Sequence, residues 1–134
     1  MIVIDASVIV DAMLDANIAE AFNELSNSNE FVAPDHIYLE VLSSLRRLER
    51  EDVIAPIALE HCIALLKDWP IERFSVHDLI GDIWSVRHNI TPYDAPYVAL
   101  AGLLNAPLLT HDEKLVRAID GEIETLSILD TPAP

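Results

Sequence analysis

The sequence lacks the features of a secreted, disulfide-bonded or membrane-spanning protein. Its 134 residues include one cysteine, Cys62, so no internal disulfide can form, and its apolar helical surroundings predict a buried, unreactive thiol. No apolar run approaches the roughly 18 residues that cross a bilayer. The N-terminus has neither a basic region nor a small-residue cleavage site, so a secretory signal is not expected. We therefore expect a cytoplasmic protein without membrane association.

Basic residues are also scarce. Eight Lys and Arg residues stand against 23 Asp and Glu residues, which gives a formal net charge of −15. This balance argues against a protein that binds nucleic acid through bulk electrostatics alone. It leaves open an enzyme that engages phosphate through a bound metal ion, and the negative field favours a basic partner.

Apolar residues, in contrast, are abundant. They make up 51% of the chain, and the mean hydropathy is +0.29. A chain of this length forms one domain with a single core, which we place at residues 1–130, followed by a frayed tail at residues 131–134. The apolar surface left over predicts a protein interface, either a homodimer or a complex with a dedicated partner.

Short apolar runs alternate with helical patterns along the chain. The β-branched run Ile2–Ile4 is apolar on both faces, as in the buried centre of a parallel sheet, and Asp35 has the residue type of a helix N-cap. Strands are predicted at residues 2–4, 31–33, 71–74, 108–109 and 123–129, and helices at 7–25, 35–51, 56–69, 78–88, 91–105 and 113–119. This alternation predicts an α/β domain with a central, mainly parallel sheet.

Four carboxylates occupy positions where an acid is hard to justify structurally. Asp5 and Asp112 each follow a short apolar run. Asp94 lies on the inward stripe of its predicted helix, and Glu40 lies at the border of another. Ligands of parallel α/β sheets bind outside the carboxyl ends of the strands, where Asp5 and Asp112 are expected. Clustered acids repel one another unless a cation lies between them, so the pattern indicates a divalent-metal site.

Each of these acids also has an ordinary structural explanation. Asp5 and Asp112 could be N-caps of the helices that follow them. Asp94 fits a capping box with Thr91, and a solvated helix residue is the default interpretation of Glu40. Only the joint placement of the four acids on one edge of the sheet outweighs these explanations.

Other polar residues border the predicted site. Ser7 could hydrogen-bond Asp5 or a metal-bound water, or cap the first helix. Thr110 could orient Asp112 or a water. His111 could be a base, but a single histidine beside a loop is more often an exposed side chain.

Four stretches of the chain, taken together, carry a family resemblance. They are VIDASVIV at residues 3–10, LEVLSSLRR at 39–47, HNITPYDAPYVALA at 88–101 and LTHDEKL at 109–115. In this order and at these separations they resemble the PIN-domain proteins, and within them the VapC-like toxins of bacterial toxin–antitoxin pairs. The resemblance covers nearly the whole chain.

The resemblance implies a PIN-like three-layer α/β/α domain whose five-stranded parallel sheet has helices on both sides. It implies a homodimeric endoribonuclease that depends on Mg²⁺ or Mn²⁺ and is silenced by a small cognate antitoxin protein. Metal-activated water would hydrolyse the RNA phosphodiester and leave a 5′ phosphate and a 3′ hydroxyl. The resemblance implies that the catalytic and metal-binding acids are Asp5, Glu40, Asp94 and Asp112. It also implies that two hydroxyl residues, Ser7 and Thr110, support these acids.

Three arginines lie at the end of the helix that carries Glu40. Arg46, Arg47 and Arg50 could contact RNA phosphates, and a solvated helix end is the alternative. Arg47 lies on the same side of the helix as Glu40, two turns on, so a surface ion pair between them is also possible.

Other classes of protein fit less well. A phospho-accepting receiver domain needs an acceptor Asp after its middle strand and a Lys after its last strand, and this chain has neither. A haloacid-type phosphatase needs Asp-x-Asp after the first strand, where this chain has Asp5-Ala6-Ser7. A catalytically weak PIN-fold protein-interaction module stays open, and an activity test with Mn²⁺ discriminates it from the enzyme.

Overall fold

The fold is built around one sheet of five parallel strands. A computed structural model of the chain describes residues 1–119 and 121–128. The strand order is β3-β2-β1-β4-β5, and all four pairings are parallel. The strands are β1 Ile2–Ile4, β2 Phe31–Pro34, β3 Ile71–Phe74, β4 Leu108–Leu109 and β5 Thr125–Leu126. The predicted α/β class with a parallel five-stranded sheet is confirmed.

Seven α-helices of the described residues cover this sheet. They are α1 Ala6–Leu14, α2 Ala16–Ser26, α3 Ile37–Arg50, α4 Pro56–Asp68, α5 Ile80–Ser85, α6 Ala95–Leu104 and α7 Glu113–Ile119, with a 3₁₀ turn at Val76–Leu79. Helix α1 packs on α2 and α3, and α3 packs on α4, whereas α5 packs on α6. Crossovers between parallel strands are right-handed as a rule, so the opposite directions of the β1-to-β2 and β3-to-β4 connections in the strand order put these two groups on opposite faces of the sheet, as a three-layer domain requires.

Strand β1 forms the centre of the sheet, as its apolar sequence predicts. It pairs with β2 through Ile2 and Val3 and with β4 through Val3 and Ile4. Its side chains are buried, Val3 and Ile4 completely. The chain therefore leaves β1 at the point where the strand order reverses, which is where ligands bind in open α/β sheets.

The first predicted helix, residues 7–25, is in fact two helices. Asp15 has an extended backbone, and its carboxylate accepts hydrogen bonds from the amides of Asn17 at 2.8 Å and Ile18 at 3.3 Å. Asp15 therefore caps α2 and separates it from α1. The apolar pattern runs through this break without interruption, and for that reason the periodicity of the sequence did not reveal it.

The predicted cap at Asp35 is also wrong. Helix α3 begins at Ile37, and Asp35 Oδ1 instead accepts the amide of Val76 at 3.1 Å. This bond ties the end of β2 to the turn after β3. The helix predicted at 78–88 is the 3₁₀ turn followed by the short helix α5.

The end of the chain is partly described. The last strand, predicted over 123–129, extends only over Thr125–Leu126, and residue 129 and the predicted tail 131–134 lie outside the described residues. Cys62 is buried, as predicted, and burial raises the pKa of its thiol. Of the described residues, no helix combines the length and the apolar character needed to cross a bilayer.

Candidate active site

Asp5 lies directly after the central strand, at the carboxyl edge of the sheet. Only 5% of the residue is exposed. It occupies the N-cap position of α1, but its side chain makes no capping hydrogen bond. The capping explanation of this carboxylate is therefore wrong, and its oxygens are directed to other partners.

Two hydroxyl groups hold the Asp5 carboxylate. Ser7 Oγ and Thr110 Oγ1 donate to Asp5 Oδ2 at 2.9 and 2.7 Å. Each hydroxyl also accepts a backbone N–H from the loop after β4, Ser7 from His111 at 3.1 Å and Thr110 from Asp112 at 3.0 Å. Because these amides occupy the hydroxyl oxygens as acceptors, each hydroxyl hydrogen is free to point at Asp5. The loop after β4 thus fixes the carboxylate at the end of β1.

Asp112 has the capping role that its sequence position suggested. Its Oδ1 atom accepts the amides of Lys114 and Leu115, each at 3.0 Å, at the start of α7. Asp112 is therefore confirmed as the residue that caps α7. Capping occupies one carboxylate oxygen and leaves the negative charge in place, so it does not remove Asp112 from the site.

Asp94 lies at the N-cap position of α6, although the helix was predicted to begin at Thr91. Residues 91–94 form a turn, and α6 begins at Ala95. Thr91 Oγ1 donates to Asp94 Oδ2 at 3.1 Å and accepts the Asp94 amide at 3.2 Å. Only one half of a capping box is therefore present, the Asp94 amide on Thr91 Oγ1, because the second bond joins the two side chains and does not involve the Thr91 amide. The turn presents Asp94 at the N-terminal end of α6, which stabilises a negative charge.

Glu40 lies in the first turn of α3 and contacts His36. His36 Nε2 lies 2.8 Å from Glu40 Oε1, and the two side chains are 17% and 24% exposed. The same nitrogen forms a 2.7 Å hydrogen bond with the backbone oxygen of Tyr93. Burial lowers the pKa of His36, but its contacts with Glu40 and Tyr93 outweigh burial and raise it overall. The ion pair suggested between Glu40 and Arg47 is not formed.

The fold brings the four acids into one electrostatic cluster. Burial raises the pKa of Asp5, against the hydrogen bonds from its two hydroxyls, and the charge of Glu40 raises it further. Burial likewise raises the pKa of Asp94, with additional contributions from Asp112 and Asp5. Each acid therefore affects or is affected by another. These electrostatic effects among Asp5, Glu40, Asp94 and Asp112 agree with their predicted meeting at one edge of the sheet, and their role as metal ligands stays a prediction.

The donor set suits a hard divalent cation that keeps its waters. Within residues 1–119 and 121–128, no three Asp, Glu, His or Cys side chains lie close enough together to hold an ion by themselves. Mg²⁺ usually takes only one or two carboxylates from a protein and retains several waters, so this spacing is compatible with it. Burial and mutual repulsion disfavour ionised Asp5 and Asp94, and a nearby cation would relieve both effects.

Tyr97 is also part of this cluster, although no motif in the sequence singled it out. It is completely buried, and its hydroxyl makes no hydrogen bond of standard geometry within the described part of the chain, although Glu40 and the backbone of Ala6 lie close enough to affect its pKa. Its pKa is raised by burial first and then by the charges of Glu40 and Asp5. The hydroxyl therefore lies beside the acids. A sequence signal existed, because Tyr97 shares a helical face with Asp94.

His111 is buried, although it was expected to be exposed. Its side chain is 4% exposed, and its Nδ1 atom lies 2.6 Å from Asp11 Oδ2. The prediction failed because Asp11 is 100 residues away in the sequence, on α1. No local pattern identifies such a pair. His36, in contrast, lies four residues before Glu40 in the sequence. That spacing brings side chains together on a helix and could have identified the contact between them.

The three arginines of α3 are exposed. Arg46, Arg47 and Arg50 make no ion pair among residues 1–119 and 121–128. They lie on the second half of the helix whose first turn carries Glu40. Contact with RNA stays a prediction for them.

Comparison with known proteins identifies relatives over most of the chain. The family model of the PIN domain matches residues 2–121. The chain is similar to the "VapC ribonuclease Mb0985" of Mycobacterium bovis, with 34% identity over 86% of this chain and 88% of the relative. It is also similar to the "Ribonuclease VapC1" of Mycobacterium tuberculosis, with 39% identity over 87% of this chain and 89% of the relative.

Solved structures share the fold. The structure of PAE2754 from Pyrobaculum aerophilum has a TM-score of 0.69 and 17% identity, and covers 96% of this chain and 90% of its own. That of FitAcB from Neisseria gonorrhoeae has a TM-score of 0.67 and 12% identity, and covers 98% and 100%. Identities this low show the fold alone, but the family model matches residues 2–121, which include the four acids described above. The chain belongs to the PIN domain family.

Proposed function

We propose that this protein is a metal-dependent endoribonuclease and the toxin of a toxin–antitoxin pair. The observation that carries the proposal is the state of Asp5. This carboxylate is buried at the carboxyl end of the central strand, held by two hydroxyls and close enough to other acids to be repelled by them. The curated relatives of this chain are named VapC ribonucleases, and these names support RNA as the substrate.

The chain's own residues would hold Mg²⁺ or Mn²⁺ at this edge of the sheet. Asp5 and Asp94 are proposed as direct ligands, with Glu40 and Asp112 binding a second ion or ordered waters. Ser7 and Thr110 fix the orientation of Asp5 and keep one of its oxygens occupied. A bound divalent ion supplies a water of lowered pKa and stabilises charge on the phosphate and on the leaving 3′ oxygen.

The acids also exclude other chemistry. Glu40 contacts His36 and Asp11 contacts His111, but the second ring nitrogen of each histidine makes no hydrogen bond within residues 1–119 and 121–128, so neither imidazole contacts a serine or cysteine nucleophile. Cys62 is buried on α4. Hydrolysis by water is therefore the reaction that this donor set supports. The negative charge of the four acids requires a cation before a phosphate can approach. The exposed Arg46, Arg47 and Arg50 are proposed to contact RNA phosphates beyond the scissile bond.

Two exposed apolar surfaces support protein partners. One lies on α3 and α4 and includes Leu39, Leu42 and Ile57, and the other lies on α5 and α6 and includes Trp84 and Leu103. Apolar side chains on both outer layers suit a homodimer and a second protein that binds the toxin. The likeness to the solved VapBC2 of Rickettsia felis, with a TM-score of 0.63, supports an antitoxin as that second protein. The net charge of −15 favours a basic binding segment.

The test is cleavage of RNA by the purified protein with Mn²⁺ or Mg²⁺ and with EDTA. The parent should cleave only with the metal and leave 5′ phosphate ends. Asp5→Asn should lose more activity than the roughly 10–100-fold typical of a change around a metal ligand. Asp68→Asn is the matched control, because Asp68 is an exposed carboxylate at the end of α4.

Two results would contradict the proposal. Cleavage that persists undiminished in EDTA would remove the need for metal. Cleavage by Asp5→Asn at the parent rate would remove Asp5 from the reaction. A parent that binds Mn²⁺ and the antitoxin but cuts no RNA would instead favour the protein-interaction module.

A further inference from the structure

His36 makes two contacts that the proposed reaction does not use. Its Nε2 atom lies 2.8 Å from Glu40 Oε1 and 2.7 Å from the backbone oxygen of Tyr93. Glu40 belongs to α3, whereas Tyr93 belongs to the turn that carries Asp94. One nitrogen therefore contacts two segments, each of which brings one acid to the site.

This contact is the connection between the two segments. Within the described residues 1–119 and 121–128, no other hydrogen bond joins α3 to the 91–94 turn. The turn is otherwise held by its own bonds, from Thr91 to Asp94 and to Ala95. Without His36, the position of Asp94 relative to Glu40 would depend on apolar packing alone.

The histidine ring is itself fixed. It packs against the ring of Tyr97 with centroids 5.0 Å apart and an interplanar angle of 41°, and its Nδ1 atom is buried without a hydrogen bond. A buried polar atom without a hydrogen-bond partner destabilises the folded state. The burial of His36 Nδ1 therefore lowers the stability of the fold, whereas the placement of Nε2 provides a hydrogen-bond donor near the Tyr93 oxygen and Glu40 Oε1.

A neutral imidazole Nε2 carries one hydrogen, which it shares between two acceptors. The geometry to the Tyr93 oxygen is that of a hydrogen bond, whereas Glu40 Oε1 is buried without a hydrogen bond of good geometry despite the 2.8 Å contact. A side chain with two N–H groups at the same place would serve both acceptors. Glutamine has such a group, because its terminal amide nitrogen matches the position of histidine Nε2 and carries two hydrogens.

We propose that His36 is a positioning residue that fastens the turn of Asp94 to the helix of Glu40 and so fixes the spacing of these two acids. The inference rests on the proposed function, because it assigns to Glu40 and Asp94 a shared role in holding metal. His36 contacts neither the substrate nor the metal in this role. It acts by donating a hydrogen bond from Nε2 to the Tyr93 oxygen and by contacting Glu40 Oε1 with the same nitrogen, and it thereby positions the two acids.

The experiment compares His36→Leu, which removes the donor, with His36→Gln, which retains it. His61→Leu is the control, because His61 is an exposed histidine on α4. Mn²⁺ affinity, measured by calorimetry or electron paramagnetic resonance, should fall about 10–100-fold in His36→Leu. His36→Gln should stay within about threefold of the parent, and His61→Leu should not change. Equal affinity in His36→Leu and the parent, or equal losses in His36→Leu and His36→Gln, would overturn the proposal.

A second measurement separates this inference from the proposed function. Amide hydrogen exchange of Asp94 and Ala95, measured without metal, reports the opening of the turn. It should accelerate in His36→Leu and not in His36→Gln, even if the parent binds no Mn²⁺ and cuts no RNA. Unchanged exchange in His36→Leu would overturn the fastening role directly. If leucine prevents folding, His36→Ala provides the same comparison, since the position is half-buried.

Discussion

Replacing Asp5 by asparagine should raise the stability of the metal-free protein while it abolishes the response to metal. In the parent, the hydroxyls of Ser7 and Thr110 donate to Asp5 Oδ2. Asparagine keeps one side-chain oxygen as an acceptor for these hydroxyls and removes the charge. Burial and the charge of Glu40 both disfavour the ionised carboxylate. The substitution therefore removes an unfavourable charge without removing its hydrogen-bonded acceptor.

The magnitude follows from opposing effects. A buried ion loses several kcal/mol of hydration, and hydrogen bonds to a charged acceptor return about 1.5–3 kcal/mol each, against about 1 kcal/mol for a neutral one. The raised pKa of Asp5 shows that its two hydroxyls do not fully offset burial. We expect metal-free Asp5→Asn to gain on the order of 1 kcal/mol, about 3–6 °C in Tm. A hundredfold excess of Mn²⁺ over its Kd should stabilise the parent by about 2.7 kcal/mol.

The assay is thermal unfolding followed by circular dichroism, with EDTA and then with increasing Mn²⁺. The variant should unfold at the higher temperature in EDTA, and the order should reverse at high Mn²⁺. The metal-free parent should also lose stability as pH rises above the ordinary Asp value, because the folded state binds the proton of Asp5 more tightly than the unfolded state. That loss should be smaller in Asp5→Asn. A variant that is less stable than the parent in EDTA, or that gains as much from Mn²⁺, would refute the reasoning.

Three further substitutions or probes test separate features. Tyr97→Phe removes a buried hydroxyl that makes no hydrogen bond of standard geometry, so the free energy of unfolding of the metal-free protein, measured in urea, should rise by about 1 kcal/mol; a fall would show that the hydroxyl is bonded in solution, with Glu40 or the backbone of Ala6 as its nearby partners. Asp112→Ala should lose about 1 kcal/mol through the missing cap, whereas Asp112→Ser should unfold close to the parent temperature, and both should lose metal-dependent cleavage; full activity in Asp112→Ser would limit Asp112 to capping. Cys62 should react with a disulfide reagent at a rate limited by unfolding, because it is buried and burial raises its thiol pKa; rapid reaction of the folded protein would contradict its burial.

The sequence predicted the sheet and the meeting of the acids because both follow from local pattern. The apolar runs before Asp5 and Asp112 match the pattern of buried strands, and parallel strands end at the same edge. The boundaries at Asp15 and Asp35 were predicted wrongly, because both depend on where one side chain points. The apolar periodicity is the same whether or not Asp15 turns back to cap α2.

The contacts between distant segments could not be predicted. Whether Asp5 caps α1 or belongs to the site depended on its bond with Thr110, which is 105 residues away. The burial of the His111 side chain depended on its contact with Asp11, which is 100 residues away. Local spacing carries no information about such pairs, whereas the capping of Asp112 is decided within three residues. The residues that the sequence analysis missed are therefore those whose partners are brought close by the sheet alone.

The bond between Asp5 and Thr110 also sets the order in which the cluster can be completed. It joins residues 105 positions apart, and the loop that fixes both hydroxyls follows β4. Because synthesis proceeds from the N-terminus, the first acid leaves the ribosome long before the groups that orient it. A nascent or truncated chain that ends before β4 contains Asp5, Glu40 and Asp94 without this support. The complete arrangement thus exists only after synthesis has passed β4 and the loop that follows it.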